Sequence, residues 1–198
     1  MRRFSAELAK HSSSSPMRSL NYAVALVGTT ISPKYAHAQK TCYNIARKYV
    51  ELCERDEDAT DLASLNVFQA LLFIIRYELT SKRFTRAWMT LGRAIRLANM
   101  LNLHQMDRVS ASGNAGSDLQ MRLPPTQDLA SLEERRRSFW ALYIFESYAS
   151  ARTGMPCQLC EAEVLILPPS RYPSTPIIPW LQQSPMTAMS WQILELMR

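Results

Sequence analysis

A chain of 198 residues can form one large domain or two small ones, and one domain is the simpler expectation. The apolar fraction is 47% and only 5 residues are glycine, a composition that indicates a folded helical protein and argues against disorder. The net charge of +6 supports nucleic-acid binding only weakly, the 4 cysteines are too few for a disulfide-rich secreted fold, and no apolar run is long enough to span a membrane.

The first part of the chain is predicted to contain a flexible segment and two helices. The serine run 12–15 before Pro16 indicates a tether, so we expect residues 1–19 to be flexible and residues 20–198 to form the helical domain. A short apolar helix is expected over residues 20–31. A firmer helix is expected from Pro33 to about Arg55, because proline suits the first helical turn.

The centre of the chain carries the strongest helical pattern. Thr60 or Asp61 is expected to cap a helix that runs to about Thr80. Its side chains are apolar almost all round, and a helix of this kind lies at the centre of a helical domain. The short connection at Ser81-Lys82 predicts that the following helix packs antiparallel to it.

That following helix, Ala87–His104, has two different faces. One face combines alanines with bulky apolar side chains, which allows close packing against neighbouring helices. The other face carries Arg86, Arg93 and Arg96. We therefore predict a packing helix, and we expect His104 to interact with its last carbonyl groups.

The second half of the chain alternates loops with one aromatic helix. Residues 105–130 are rich in serine, glycine and proline and are predicted to be a long mobile loop. Ser131 and Glu134 form a capping box for a helix that is expected to end at Gly154. Six of the 11 prolines lie in 168–185, so that segment is predicted to cross the helical core in extended form. The last residues have an amphipathic pattern, which predicts a C-terminally truncated domain.

Cysteine residues are the first candidates for a redox or metal-binding site. Cys157 and Cys160 have the spacing of a redox motif or of half a zinc site. A zinc site needs two more ligands, and a thioredoxin-like site needs a βαβ unit, which the sequence does not predict. The potential extra ligands have no matching spacing: Cys42, Cys53, His37 and His104. We interpret all of these cysteines as packing or incidental residues, and Cys42 and Cys53 as neighbours on one helix face.

Charged residues provide the other candidates. Glu146 is the one acid in the apolar stretch 139–149, and we expect it to form an ion pair with an arginine of the Ala87–His104 helix. Basic residues at 82–96 and 135–137 could contact phosphates, but a solvated or internally paired surface is the preferred interpretation. The prolines at 173, 176 and 179 could form a peptide ligand, although a surface crossing is preferred. No catalytic, cofactor-binding or metal-ligating residue is nominated, and no cofactor is expected.

Two blocks of sequence, taken together, resemble a known family. The first comprises Phe68–Leu72, Tyr77-Glu78 and Ala87–His104. The second comprises Glu133–Tyr143, followed by Gly154-x-Pro156 and Leu167-Pro168. Their order and separation resemble the middle homology region of the fungal-specific transcription factors, over about residues 35–185.

The resemblance implies a regulatory domain of a nuclear transcription factor, without enzymatic activity, that controls a metabolic or secondary-metabolite gene set. The expected fold is all-α: an irregular bundle of antiparallel helix pairs with the long loop and the proline-rich crossing. In that family a zinc cluster with six closely spaced cysteines binds DNA, whereas this chain has 4 cysteines at other spacings. We therefore expect it to reach DNA only indirectly, through protein partners or neighbouring transcription factor segments. A small-molecule effector is a further candidate partner. The family's Asp-Arg pair after the aromatic helix is replaced here by Glu146-Ser147.

Two alternatives are open at this point. The pattern Trp88-x-x-Leu91-Gly92-x-x-Ile95 is similar to a tetratricopeptide helix, which would make the chain a helical-repeat adaptor. No second copy occurs about 34 residues away, as such a repeat requires. The other alternative is a thiol enzyme that uses Cys157 and Cys160.

Overall fold

The computed structural model describes residues 14–57, 60–107, 123–159 and 166. The α-helices in these ranges are α1 (Ser15–Ile31), α2 (Gln39–Glu54), α3 (Leu65–Thr80), α4 (Phe84–Met100) and α5 (Leu129–Thr153). Short 3₁₀ helices occur at Pro33–Ala38 and Leu103–Gln105. Because no strand occurs in the described ranges, the all-α prediction is confirmed.

Helix α3 lies at the centre of the bundle and contacts α1, α2, α4 and α5. Its buried side chains occur on every side of the helix, from Val67 to Leu79. A helix that is apolar on all sides can bury its surface only by packing against several neighbouring helices. The predicted central position of this helix is therefore confirmed.

Helix α4 has the two predicted faces. Its buried residues include Ala87, Leu91 and Ile95, whereas Arg86 and Arg96 are exposed. The buried face packs against α3 and α5. Because residues 81–83 leave room only for a tight turn, α3 and α4 form an antiparallel pair.

The first described helix begins earlier than predicted. Helix α1 starts at Ser15 rather than at residue 20, and Pro16 lies in its first turn, where a missing N–H costs no helical hydrogen bond. Met17 and Leu20 are buried, so this start is part of the core. The predicted flexible segment thus does not extend to Pro16, and residues 1–13 lie outside the described ranges.

Helix α3 starts later than predicted. Its N-cap is Ser64, whose hydroxyl accepts a hydrogen bond from the Asn66 amide at 3.2 Å. The predicted caps Thr60 and Asp61 instead donate to the carboxylate of Asp56, at 3.0 and 3.1 Å, and form a turn before the helix. These residues therefore close the α2–α3 connection and do not begin α3.

Helix α5 also has a different cap from the predicted one. The carboxylate of Asp128 accepts hydrogen bonds from the amides of Ala130 and Ser131, both at 3.3 Å. The helix therefore begins at Leu129, and the predicted cap Ser131 lies inside its first turn. An acidic cap is favoured there because it also interacts with the positive end of the helix dipole.

The end of α4 differs from the single long helix that was predicted. Asn102 has a left-handed backbone conformation with φ of 55°, which stops the helix, and a 3₁₀ turn follows. His104 lies in this turn and not in the last turn of α4. The turn places Leu103 in the core, where it is 1% exposed.

Several predictions concern residues that the structure does not describe. Residues 108–122 of the predicted mobile loop, and 167–198 with the proline-rich crossing and the final amphipathic pattern, lie outside the described ranges. Those features stay predictions, as does the domain division at residue 20. None of the described helices is sufficiently long and apolar to cross a membrane.

Gly154 ends α5 as predicted, and its conformation leads to a test. Its φ of 68° is left-handed, and its amide donates to the Ser150 carbonyl at 2.8 Å. We expect Gly154→Ala to lower the free energy of unfolding by about 1 kcal/mol, since a Cβ disfavours this conformation. Gly28→Ala, inside α1, should raise it by about 0.5–1 kcal/mol.

A Cβ added at either glycine meets no other atom within 4 Å, so the comparison isolates the backbone effect. The measurement is urea denaturation of the two variants and the unsubstituted chain. A change of the same sign in both variants would contradict the left-handed cap.

Candidate functional site

A fully buried carboxylate joins three helices at one end of the bundle. Glu78, near the end of α3, is 0% exposed. Its Oε1 accepts hydrogen bonds from the Tyr43 hydroxyl at 2.5 Å and from Arg47 Nη1 at 2.9 Å. Its Oε2 accepts one from the Thr90 hydroxyl at 2.7 Å. Donors from α2 and α4 thus surround the end of α3.

Three donors are what a buried carboxylate requires to stay in the core. Removing it from water costs several kcal/mol, which only good partners offset. Arg47 supplies the opposite charge, and its own side chain keeps 24% exposure, so its guanidinium still reaches water. Sequence reasoning missed this role of Glu78, although a single acid at the end of an otherwise apolar helix was a usable signal.

A basic cleft lies beside this buried network. It has a volume of about 580 Å³ and is formed where the α3–α4 turn and the first turn of α4 lie against α2. The lining residues are Lys40, Tyr43, Asn44, Lys82, Arg83, Phe84, Thr85 and Arg86. Four of these side chains are cationic and none is acidic.

Tyr43 connects the basic cleft to the buried carboxylate. Its ring lines the cleft, and its hydroxyl, which donates to Glu78, lies 3.4 Å from Arg86 Nη1. The guanidinium carbon of Arg83 lies 5.5 Å from the ring centroids of both Tyr43 and Tyr77, which gives cation–π contacts. Arg83 is therefore held by aromatic rings and not by a carboxylate.

Three of the seven arginines in the two predicted basic clusters form ion pairs with acids. Arg93 pairs with Glu54, and Arg136 donates from Nε to Asp107 at 2.8 Å. Arg137 donates to Glu133 at 2.7 Å. These three residues are thus internally paired, whereas Lys82, Arg83 and Arg86 of the basic cleft are exposed to solvent.

Glu146 does not form the predicted ion pair with α4. Its carboxylate accepts hydrogen bonds from the amides of Gln158 and Leu159, the latter at 3.2 Å. Burial raises the pKa of Glu146 above its usual range, and the two amides oppose that increase. Because Leu159 is buried, Glu146 fastens the segment after α5 to the core.

The cysteines do not form a site within the described ranges. No group of three metal-ligating side chains occurs there, and Cys160 lies outside them. Burial and nearby acids raise the pKa of Cys53 to about 12. Burial, followed by the charge of Glu146, also raises the pKa of Cys157. Thiols with a raised pKa are poor nucleophiles at neutral pH, which argues against the thiol-enzyme alternative.

Comparison with known proteins gives one family and a group of relatives. The family model described as fungal specific transcription factor domain matches residues 3–172. The chain is 46% identical over 163 residues to the depudecin biosynthesis cluster-specific transcription activator of Alternaria brassicicola, covering 79% of this chain and 24% of that protein. It is 47% identical over 143 residues to the activator of the same description from Fusarium langsethiae, covering 72% of this chain and 23% of that protein.

A more distant relative has a similar description. The pigment biosynthesis transcriptional activator of Monascus ruber is 30% identical over 147 residues, covering 73% of this chain and 25% of that protein. The chain thus spans about a quarter of the length of the curated relatives that it matches. No solved structure matches it significantly.

The Glu78 network predicts a large effect for a small substitution. Glu78→Gln removes the charge that compensates Arg47 and replaces one acceptor with a donor. We expect the free energy of unfolding to fall by about 2–3 kcal/mol, because buried donors then lack an acceptor. The matched control is Glu54→Gln in the exposed pair with Arg93, which should cost less than about 1 kcal/mol. Equal losses in urea denaturation would show that burial does not matter here.

The raised pKa of Glu146 predicts a pH dependence of stability. The folded state binds this proton more tightly than the unfolded state, whose pKa is near the ordinary value of 4.5. The contribution of Glu146 to the free energy of unfolding should therefore increase as the pH falls through the raised pKa, and level off below the ordinary one.

Glu146→Gln keeps one acceptor oxygen but cannot titrate, so it provides the reference. We expect the unfolding free energy of the unsubstituted chain, minus that of the variant, to rise from about pH 7 to about pH 4. Urea denaturation at intervals across this range measures the difference. A value that stays constant or falls would contradict a raised pKa.

Proposed function

This chain belongs to the fungal specific transcription factor domain family, and from that membership we propose that it controls the genes of a secondary-metabolite cluster. The observation that carries the proposal is the set of relatives at 46% and 47% identity, both described as cluster-specific transcription activators. A third, at 30%, is described as a pigment biosynthesis activator. The three relatives share a regulatory role and are named for two different products, so they support the role more than either product.

In this proposal the helical bundle acts by conformation and binding, in the nucleus, and not by catalysis. Its partners are other proteins or neighbouring segments of the transcription factor. It reaches DNA only indirectly, because its 4 cysteines lack the spacing of the family's zinc cluster. Within the described ranges, the most buried acids, Glu78 and Glu146, are each surrounded by structural hydrogen-bond donors, which favours a structural role over acid–base work. A small-molecule effector is compatible with this mode of action.

A test at the native locus compares two substitutions on α4. Leu91→Asp places a charge where the side chain is 2% exposed, and Met89→Asp places the same charge where it is 67% exposed. We expect the first to abolish transcription of the cluster, as gene deletion does, because an unpaired charge in the core unfolds the bundle. The second should leave transcript levels within about twofold of the parent.

RNA sequencing under producing conditions gives the measurement, and protein abundance is followed with a C-terminal tag. Deletion of the gene should reduce a contiguous set of biosynthetic transcripts. Unchanged transcripts in the deletion strain would refute the proposal. A loss limited to the Met89 variant would place the function on the exposed surface of α4 and not in the intact bundle.

A further inference from the structure

The basic cleft concentrates positive charge in a way that the fold itself does not require. Lys40, Lys82, Arg83 and Arg86 line one volume of about 580 Å³. Like charges in one cleft repel each other, although water and salt screen part of this repulsion because all four side chains are exposed. Among the described residues, no carboxylate forms an ion pair with any of the four.

The nearest buried acid is already engaged. Glu78 accepts hydrogen bonds from Tyr43, Arg47 and Thr90, and it has no exposed surface. Of the side chains that line the basic cleft, it accepts a hydrogen bond from Tyr43, and it forms no ion pair with the four cations there. The other ion pairs of the described ranges, such as Arg93 with Glu54, show that this chain elsewhere places acids next to its arginines.

The shape and the walls of the basic cleft indicate the kind of ligand. A volume of about 580 Å³ can accommodate a metabolite-sized molecule, and because six of the eight lining residues are exposed, the ligand would stay partly in water. The rings of Tyr43 and Phe84 provide an apolar wall beside the cations. Arg83 is pre-oriented over the rings of Tyr43 and Tyr77, which reduces the entropy lost when its guanidinium binds.

We infer that the basic cleft between α2 and the α3–α4 turn binds a metabolite-sized polyanion that carries two or more phosphate or carboxylate groups. Guanidinium and ammonium groups bind such oxygens through charge-assisted hydrogen bonds. Duplex DNA is a competing ligand, which binding experiments distinguish from a small polyanion. The site itself does not depend on the proposed function; its regulatory consequence does.

Tyr43 couples ligand binding in the basic cleft to the contacts of the core. An anion that draws Arg86 away removes that guanidinium from the Tyr43 hydroxyl, which also donates to Glu78. Occupancy of the basic cleft would thereby alter the packing of α2 against α3, and the bundle would be sensitive to the ligand. This is a property that a regulatory domain can use.

The test is isothermal titration calorimetry of the full 198-residue chain with inorganic pyrophosphate and with citrate, at constant ionic strength. We expect saturable binding of at least one probe with one site. The double variant Lys40→Gln/Lys82→Gln should bind at least about tenfold more weakly, since two charge-assisted hydrogen bonds are lost. Both lysines are exposed, so the fold should survive the change, and a thermal melt verifies this.

The matched control is the double variant Lys48→Gln/Arg96→Gln, which removes the same charge from exposed positions of α2 and α4 outside the basic cleft. Its affinity should stay within about twofold of the unsubstituted chain. Absence of saturable binding for both probes, or equal losses in the two double variants, would overturn the inference. Tighter binding of duplex DNA or of polyglutamate than of either probe, lost in the first variant, would also overturn it in favour of a macromolecular partner.

These outcomes are separate from those of the transcription experiment. Binding is measured on the purified chain, and transcripts are measured in the fungus. A chain that binds pyrophosphate but does not affect transcription would retain the site and refute the proposed function, whereas the reverse result would retain the function and refute the site.

Discussion

Burial of one carboxylate constrains the arrangement of the helices around α3. Glu78 is 0% exposed, and a charge in that position is tolerated only if donors reach it from several directions. Tyr43 and Arg47 on α2 and Thr90 on α4 supply them, so both helices must keep a fixed rotation and height relative to α3. Apolar packing alone would allow them to slide, because the surface of α3 is apolar on every side.

The buried acid Glu146 is stabilised by a different kind of hydrogen-bond donor. Glu146 on α5 receives backbone amides of the segment that follows the helix, and no arginine pairs with it in the described ranges. A backbone amide can serve because the chain reverses at Gly154 and brings Leu159 into the core. Glu78 holds α2 and α4 in position against α3, whereas Glu146 holds the segment after α5 against the core. Both acids thus have structural roles.

The cations discussed above form two groups: arginines that are paired with acids, and the side chains of the basic cleft. Arg47, Arg93, Arg136 and Arg137 are paired with acids, and pairing of this kind supports local geometry. The cations of the basic cleft gather around Tyr43 instead, beside an acid whose acceptor positions are occupied. Because Tyr43 belongs to both the basic cleft and the Glu78 network, it is the residue through which a bound anion would influence the fold.

The linear sequence was sufficient to predict the helical fold class, the central position of α3, the two faces of α4, the stop at Gly154 and the family. Each depends on local periodicity, on a backbone preference or on the order of motifs, all of which the linear chain carries. Only the tertiary structure decided which caps are used, that Glu146 binds amides and not an arginine, and that Lys40 joins residues 82–86 in one cleft. The caps are selected among several candidates that lie within a few residues of one another, and Glu146 meets amides in the segment that follows its own helix. The basic cleft and the bond between Tyr43 and Glu78 bring together residues more than 30 positions apart. Periodicity gives the face of a helix but not the atoms opposite it.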